Sequence, residues 1–282
     1  MRIATRVDEM KSIAEEYRKN GKRISFVPTM GYLHEGHLSL VDIARKDGDI
    51  CVVSIFVNPI QFGPGEDYER YPRDVERDER LLEQRGCDVL FYPSASEMYP
   101  EDFLTRVRVE KLSSILCGKS RPGHFEGVTT VVLKLFNIVK PHVAVFGEKD
   151  YQQLVIIKRM VRDLNLDVEI VAGEIIREKD GLAMSSRNVY LDPVERKQAT
   201  CLFRSMLLAQ DMVKAGIRDT KTIVEAVEGF IKKFDRARID YVKIVHPDTL
   251  EELEEIHDRA RILLAVYFGN ARLIDNMEID VS

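Results

Sequence analysis

The sequence lacks several features that mark specialised classes of protein. Tryptophan is absent, and only four cysteines occur among 282 residues. Cys51, Cys87, Cys117 and Cys201 are widely spaced and form no C-x-x-C pair, which favours reduced, buried thiols in a cytosolic protein. No apolar run approaches the roughly 18 residues that a membrane-spanning helix needs. A disulfide scaffold and a membrane protein are therefore both disfavoured.

Charge of one sign does not dominate either. The chain has 42 basic and 47 acidic residues, a net charge of −5, so no strong field would attract nucleic acid or an anionic membrane. A small anionic substrate would have to be held by locally placed cations and backbone N–H groups. The first 23 residues read as a charged amphipathic helix without an apolar h-region, so we expect a cytoplasmic protein.

Short apolar runs alternate with helical patterns over the first part of the chain. Residues 50–57, ICVVSIFV, form an uninterrupted run rich in β-branched side chains, which is typical of a strand buried on both faces of a parallel sheet. Strands are also predicted at 24–28, 89–92, 143–146 and 168–171, and helices at 6–20, 38–45, 73–85, 124–139 and 151–164. The alternation predicts an α/β domain, Rossmann-like, with a doubly wound parallel sheet.

The pattern changes beyond about residue 180. Helices are predicted at 193–214 and 220–234, and they are followed by strands at 238–245, 261–268 and 271–275. Long helices followed by consecutive strands indicate a smaller α+β domain. We therefore expect two domains, residues 1–175 and residues 176–282.

Residues 28–37, PTMGYLHEGH, leave the first core strand and enter a helix. Ligands of α/β sheets bind at the carboxyl ends of strands, where helix N-termini offer N–H groups. His34 and His37 lie three residues apart, so both can face the same way. They could donate hydrogen bonds to nucleotide phosphates and stabilise a pentacovalent phosphorus. A zinc pair is the rival interpretation, although HExxH sites space their histidines four apart. A purely structural pair is the third.

Asn58 and Gln61 follow the apolar run at 50–57 and should also lie at the carboxyl edge of the sheet. A carboxamide such as that of Gln61 can donate to a carboxylate and accept from an amine. The alternative is an amide that only stabilises a turn.

Residues 147–153, GEKDYQQ, leave another strand through glycine. Lys149 could pair with a phosphate, and Asp150 could accept from ribose or help to hold a hydrated metal ion. Gln153 lies one turn further, on roughly the same face. A solvated charge cluster at a helix start is the alternative.

Residues 184–188, MSSRN, place two hydroxyls beside Arg187 near the proposed domain junction. This combination suits a clamp on the β- and γ-phosphates. An N-cap for the helix near Asp192 is the alternative, although Asp192-Pro193 can supply that cap by itself.

Taken in order on an α/β scaffold, these segments resemble the nucleotidyltransferase superfamily that includes the class I aminoacyl-tRNA synthetases. HEGH at 34–37 is similar to its HIGH signature, and MSSRN at 184–188 is similar to a lysine-poor KMSKS signature. Longer strings, among them SIFVNPIQFGPGEDYERYPRD and RPGHFEGVTTVVLKLFNIVKP, resemble the pantothenate synthetase (pantoate–β-alanine ligase) family from about residue 3 to past 270. Tyr32 and His142 are small departures from the family pattern.

The resemblance implies a reaction and a set of site residues. The family condenses (R)-pantoate with β-alanine, using ATP and Mg²⁺, and releases pantothenate, AMP and pyrophosphate through a pantoyl adenylate. Gln61 and Gln153 would bind pantoate, and Gln61 would also bind β-alanine. The implied catalytic residues are His34, His37, Lys149 and Arg187, with His37 as the proton donor. The implied ATP-binding residues are Met30, Gly31, Tyr32, Leu33, His34, Glu35, Gly36, His37, Gly147, Glu148, Lys149, Asp150, Ile176, Met184, Ser185, Ser186 and Arg187.

The resemblance also implies a cytoplasmic homodimer that uses small-molecule substrates and contacts neither nucleic acid nor membrane. The first domain would bind nucleotide and pantoate, and the smaller domain would close over the ATP site. Because an acyl adenylate must be kept from water, we expect a lid at 63–71 or 118–125. Another adenylyl- or cytidylyltransferase of the superfamily is the main alternative. A nucleotide-binding regulatory module and a metal hydrolase are alternatives from different classes.

Overall fold

The computed structural model describes residues 1–281 and divides them into two compact units. The first unit comprises Met1–Glu148 and Gln153–Glu174. The second comprises Lys149–Gln152 and the chain from Ile175 onward. The main division therefore falls after Glu174, and a four-residue segment that follows the fifth strand belongs to the second unit.

Strands and helices alternate up to residue 174. They are β1 (Arg2–Ala4), α1 (Val7–Lys19), β2 (Ile24–Thr29), α2 (Glu35–Asp47), β3 (Ile50–Ile55), α3 (Val75–Gln84), β4 (Val89–Phe91), α4 (Ala95–Met98), α5 (Cys117–Ser120), α6 (His124–Val139), β5 (Val143–Gly147), α7 (Tyr151–Asp163) and β6 (Glu169–Gly173). Beyond residue 174 lie α8 (Pro193–Ala199), α9 (Cys201–Lys214), α10 (Thr220–Ile231), β7 (Ala237–Val245), β8 (Ala260–Phe268) and β9 (Ala271–Ile279).

The first unit is built on a parallel sheet of six strands in the order β1-β4-β3-β2-β5-β6. Its central strand is buried on both faces. Phe26 packs edge-on against Phe136 of α6, whereas Val27, which projects to the opposite face, joins the cluster formed with Leu38 and Val41 of α2. Helices therefore cover both faces, which confirms the predicted Rossmann-like α/β fold.

The second unit contains a three-stranded antiparallel sheet in the order β7-β8-β9. Its core joins α9 and α10 to one face of the sheet through fully buried side chains such as Met206, Val227 and Leu264. The predicted smaller α+β arrangement is confirmed. Among residues 1–281, no helix is both long and apolar enough to cross a membrane.

Several predicted boundaries were wrong. The edge strand β1 was not expected, because its three residues pair only with β4, far away in sequence. The helix predicted at 38–45 begins at Glu35, and the helix predicted at 193–214 is interrupted at Thr200. The last strand continues to Ile279. All four cysteines are buried, and none forms a disulfide.

Candidate active site

The turn after β2 lies at the point of the sheet where α/β proteins bind ligands. From β2 the chain moves through β3 to β4 on one side, and it returns to β5 on the other side. The carboxyl end of β2 therefore faces a topological switch point, where two loops diverge and leave a crevice. Residues 30–34 form this turn, and α2 begins directly after it.

A buried carboxylate holds the backbone of the turn. Asp78 of α3 is 1% exposed and accepts hydrogen bonds from the backbone N–H groups of Tyr32 (2.6 Å) and Leu33 (2.8 Å). Burial raises the pKa of this carboxyl despite these bonds. Gly31 has φ +80°, and a Cβ there would lie 2.8 Å from Cγ2 of Ile55. The turn therefore requires glycine at this position and an acceptor at position 78.

His34 and His37 lie side by side at the start of α2, with ring centroids 4.1 Å apart. Nδ1 of His34 accepts from the N–H of Gly36 (3.1 Å), and Nδ1 of His37 accepts from the N–H of His34 (3.4 Å), forming a capping box. Because each Nδ1 is an acceptor, each neutral ring carries its proton on Nε2 and can act as a donor there. The structure thus brings together the two predicted donors.

Zinc was the rival interpretation of this pair. Within residues 1–281, no group of three or more His, Cys, Asp or Glu side chains could hold a metal ion. The Nδ1 atoms of both rings are instead engaged by the backbone of the helix that they cap.

An ordered pair of carboxamides follows β3. Asn58 and Gln61 are 1% and 7% exposed, and Nδ2 of Asn58 donates to Oε1 of Gln61 (2.9 Å) and to the carbonyl of Gly127 (3.1 Å). The hydroxyl of Tyr99 donates to Oδ1 of Asn58 (2.8 Å). Burial raises the pKa of Tyr99, so this hydroxyl stays protonated at neutral pH. These bonds orient the Gln61 carboxamide, and its Nε2 donates to the sulfur of Met30 (3.4 Å).

The turn after β5 is divided between the two units. β5 ends at Gly147, and Glu148–Asp150 form a single 3₁₀ turn before α7. Gly147, Glu148 and Gln153 belong to the first unit, with the histidine pair and Gln61, whereas Lys149 and Asp150 belong to the second. Within that second unit, the Lys149 ammonium lies 3.8 Å from Oδ2 of Asp150.

The segment predicted as a phosphate clamp forms a compact turn in the second unit. The N–H of Met184 donates to the carbonyl of Ile176 (2.9 Å), which brings the two predicted ATP-contacting stretches together. Ser185 accepts from the N–H of Arg187 (3.2 Å) and caps the 3₁₀ helix Ser186–Tyr190. Asp192 caps α8 by itself, so the hydroxyls are not required for that cap.

A buried polar cluster on β8 and β9 borders these segments of the second unit. Asn276 is 2% exposed, and its Nδ2 donates to the backbone carbonyl of Lys149 (3.1 Å). The guanidinium of Arg261 donates to Oδ1 of Asn276 (2.6 Å) and lies 3.8 Å from the ring centroid of Tyr151. Sequence reasoning did not identify this cluster, because nothing local in β9 relates it to residues 149–151.

The two segments predicted as lids contact each other in the first unit. Arg121 forms two hydrogen bonds with the carboxylate of Glu66, at 2.7 and 2.6 Å. Nδ1 of His124 lies 2.8 Å from the backbone carbonyl of Gln61. An ion pair therefore links residues 63–71 to residues 118–125 beside the carboxamide pair.

Comparison with known proteins decides the family. The sequence profile of the Pantoate-beta-alanine ligase family matches residues 2–278. The chain belongs to the pantoate-beta-alanine ligase family. It is 58% identical over 280 residues to the pantothenate synthetase of Caldicellulosiruptor bescii, covering 99% of each chain. It is 59% identical over 276 residues to that of Thermotoga neapolitana, covering 98% of this chain and 99% of the relative.

Solved structures of the ligase family have the same fold. The pantothenate synthetase of Thermus thermophilus is 50% identical, with a TM-score of 0.93 over 98% of this chain and 99% of that one. The pantoate-beta-alanine ligase of Francisella tularensis, solved in complex with β-γ ATP and β-alanine, is 36% identical. Its TM-score is 0.80, over 98% of this chain and 97% of that one. The family resemblance inferred from the motifs is thereby confirmed.

Proposed function

We propose that this protein joins pantoate to β-alanine in an ATP-dependent reaction that releases AMP and pyrophosphate. The observation that carries the proposal is the histidine-capped turn at the switch point of the sheet. It presents two Nε2 donors where a nucleotide would bind, in a chain that matches the ligase family over nearly its whole length.

The first step activates the acid. A carboxylate oxygen of pantoate attacks the α-phosphorus of ATP, and the bond from that phosphorus to the bridging oxygen breaks to release pyrophosphate. His34 and His37 would donate from Nε2 to phosphate oxygens as negative charge develops. Lys149 and Arg187 would add fixed positive charge, and the hydroxyls of the 184–188 segment would supply neutral donors. The protein need only align the reactants and stabilise that charge.

The carboxamide pair suits the acid substrate. Gln61 would donate from Nε2 to the carboxylate or a hydroxyl of pantoate, and Gln153 would hold the other end. The bond from Asn58 keeps the oxygen of Gln61 turned away from an anionic ligand. A preoriented donor of this kind discriminates strongly, because an unpaired buried polar group is costly.

The second step forms the amide. The β-alanine amine, bound near Gln61, attacks the acyl carbon of the pantoyl adenylate. The bond from that carbon to the phosphate oxygen breaks, AMP leaves with the electron pair, and one proton is released. Water competes with the amine, so the Glu66–Arg121 link across the two candidate lid segments would help to exclude it.

We also propose Mg²⁺ as the ion that accompanies ATP. Asp150 fits this role, because its side chain is 51% exposed and Mg²⁺ is usually held by one or two carboxylates together with phosphate oxygens. The bound ion would supply charge neutralisation to the polyphosphate. Lys149 beside it would pair with a neighbouring phosphate oxygen.

We also propose that the protein is a cytoplasmic homodimer, because the whole chain resembles its family. Multi-angle light scattering checks the assembly directly. A mass of twice the 32.4 kDa chain at micromolar concentration supports the dimer, and a single-chain mass throughout the concentration range contradicts it.

ATP–pyrophosphate exchange tests the proposed function. Purified protein is incubated with ATP, Mg²⁺, labelled pyrophosphate and either pantoate or one of a panel of related hydroxy acids. Pantoate-dependent exchange, followed by AMP and pantothenate formation when β-alanine is added, is the expected result. Exchange that ignores pantoate, or a product that retains the nucleotide, would indicate another nucleotidyltransferase instead.

A further inference from the structure

Two neighbouring residues of β9 are polar and almost completely buried. Asp275 and Asn276 are each 2% exposed, and Asp275 shares its face of the strand with apolar core residues such as Leu273 and Ile279. Burying such groups is costly unless every one is hydrogen-bonded. Because successive strand residues project to opposite faces, this single point of β9 can hold two different segments.

Asp275 holds the segment that precedes the phosphate clamp. Its carboxylate accepts two hydrogen bonds from Arg177, at 2.6 and 2.9 Å. Arg177 also donates to the carbonyl of Gly181 and pairs across the turn with Ala183. The guanidinium thus ties β9 to the hairpin that joins Ile176 to residues 184–187.

Asn276 holds the Lys149 turn. Its backbone N–H donates to Asp275 (2.8 Å), and its Oδ1 accepts from Arg261 (2.6 Å). Arginine has only donors, so the carboxamide must present its oxygen to Arg261 and its Nδ2 to the carbonyl of Lys149. The same guanidinium lies over the ring of Tyr151. Residues 149 and 151 are therefore both fixed to β8 and β9, and these contacts account for the place of Lys149–Gln152 in the second unit.

We propose that Asn276 is a positioning residue, which orients the Lys149 ammonium by holding the carbonyl of the same residue. The inference rests on the proposed function, in which Lys149 pairs with a phosphate of ATP. A 3₁₀ turn has few hydrogen bonds of its own. One external bond at its middle residue therefore fixes the backbone from which the lysine side chain projects. Misplacement of a charge by about 1 Å can cost up to 10²-fold in rate.

A double-mutant cycle between Asn276 and Lys149 tests the proposal. Asn276→Asp keeps the volume and the acceptor for Arg261 but removes the donor to Lys149, and Asn276→Ala removes both. In the wild-type background we expect either change to lower the pantoate-dependent exchange rate and to weaken ATP binding by about 10–100-fold. In the Lys149→Ala background neither change should add more than about a twofold loss, because its effect passes through the lysine.

Asp240→Asn is the matched control. Asp240 pairs with Arg272 (2.6 Å) in the same sheet and has no role in the proposed site. It should lower the melting temperature to a similar extent and leave exchange within about twofold of wild type. Equal losses from Asn276→Asp in both backgrounds, or unchanged ATP affinity in folded Asn276→Asp, would overturn the inference. Absence of pantoate-dependent exchange in the wild type would defeat the proposed function instead, and the ATP-affinity cycle would still test Asn276.

Discussion

Asp78→Asn separates the positioning of the turn at residues 30–34 from the stability of the fold. The carboxylate accepts the N–H groups of Tyr32 and Leu33, one with each oxygen. An asparagine has one acceptor oxygen, so its NH₂ group would face one of these N–H groups, donor against donor. The side chain is 1% exposed, so the displaced N–H would find little water.

The magnitude follows from the cost of a buried N–H without an acceptor, about 1–3 kcal/mol. Since about 1.4 kcal/mol corresponds to a factor of ten, the population of the correct turn should fall by roughly 5–150-fold. We expect kcat/KM for ATP to fall by a similar factor, because the turn carries residues 30–34 and the histidine cap.

Global stability should change much less. Burial raises the Asp78 pKa above 3.8. The folded state therefore binds this proton more tightly than the unfolded chain does. The protonated carboxyl contributes its full stabilisation of the folded state below pH 3.8. It is lost as the pH rises through the raised folded-state pKa. At neutral pH the buried carboxylate costs stability, and Asp78→Asn relieves that cost while losing a hydrogen bond. We expect these opposing effects to leave the melting temperature within a few degrees.

The assay combines steady-state kinetics at varied ATP with thermal unfolding. Asp74→Asn is the control, because Asp74 caps the same helix and asparagine is an equally good N-cap. It should behave as wild type in both measurements. A folded Asp78→Asn protein with the wild-type kcat/KM for ATP would refute the reasoning.

Four further predictions concern other parts of the site and core. His37→Ala should lower the pantoate-dependent exchange rate by about 10²–10³-fold, the scale of one lost transition-state donor. A near-wild-type rate would mean that His37 serves only to cap the helix. Tyr99→Phe leaves Oδ1 of Asn58 without its donor and should raise the KM for pantoate by about tenfold with the KM for ATP unchanged, whereas equal changes in both would indicate general disruption. Glu66→Gln weakens the ion pair with Arg121 and should speed tryptic cleavage within residues 63–71 of the ligand-free protein. An unchanged cleavage rate would mean that this ion pair does not hold the two segments together. Burial raises the pKa of Cys201 to about 12, so thiol reagents at about pH 8 should label it only on unfolding, and rapid labelling of the native protein would contradict the burial.

Local patterns were sufficient for much of the first unit. The apolar run at 50–57 predicted a strand covered on both faces, and β3 (Ile50–Ile55) is such a strand. The predicted helix at 124–139 has the bounds of α6. These elements were predictable because their periodicity and composition lie in consecutive residues. The start of α2 was placed too late, because histidine is not among the residues that usually signal an N-cap.

The residues that organise the site could not be found in this way. Asp78 lies about 45 residues beyond the turn that it holds, in a run of charges that resembles an ordinary solvated helix. Tyr99 reaches Asn58 across 41 positions, and Asn276 reaches Lys149 across 127. Each pairing depends on which helices, strands and loops the tertiary structure brings together.

The sequence by itself indicated most of the strands and helices in their order, the family, and the motif segments for which contacts with ATP and pantoate are proposed. Such features depend on residues that are close together in the sequence, because side-chain periodicity and turn residues specify local structure. Only the tertiary structure decided that Asp78 anchors the turn at residues 30–34, that Tyr99 orients the carboxamides, and that Lys149 is bound to β9. Hydrogen bonds between distant residues form only after the topology has brought their strands and helices together, and no local pattern specifies them in advance.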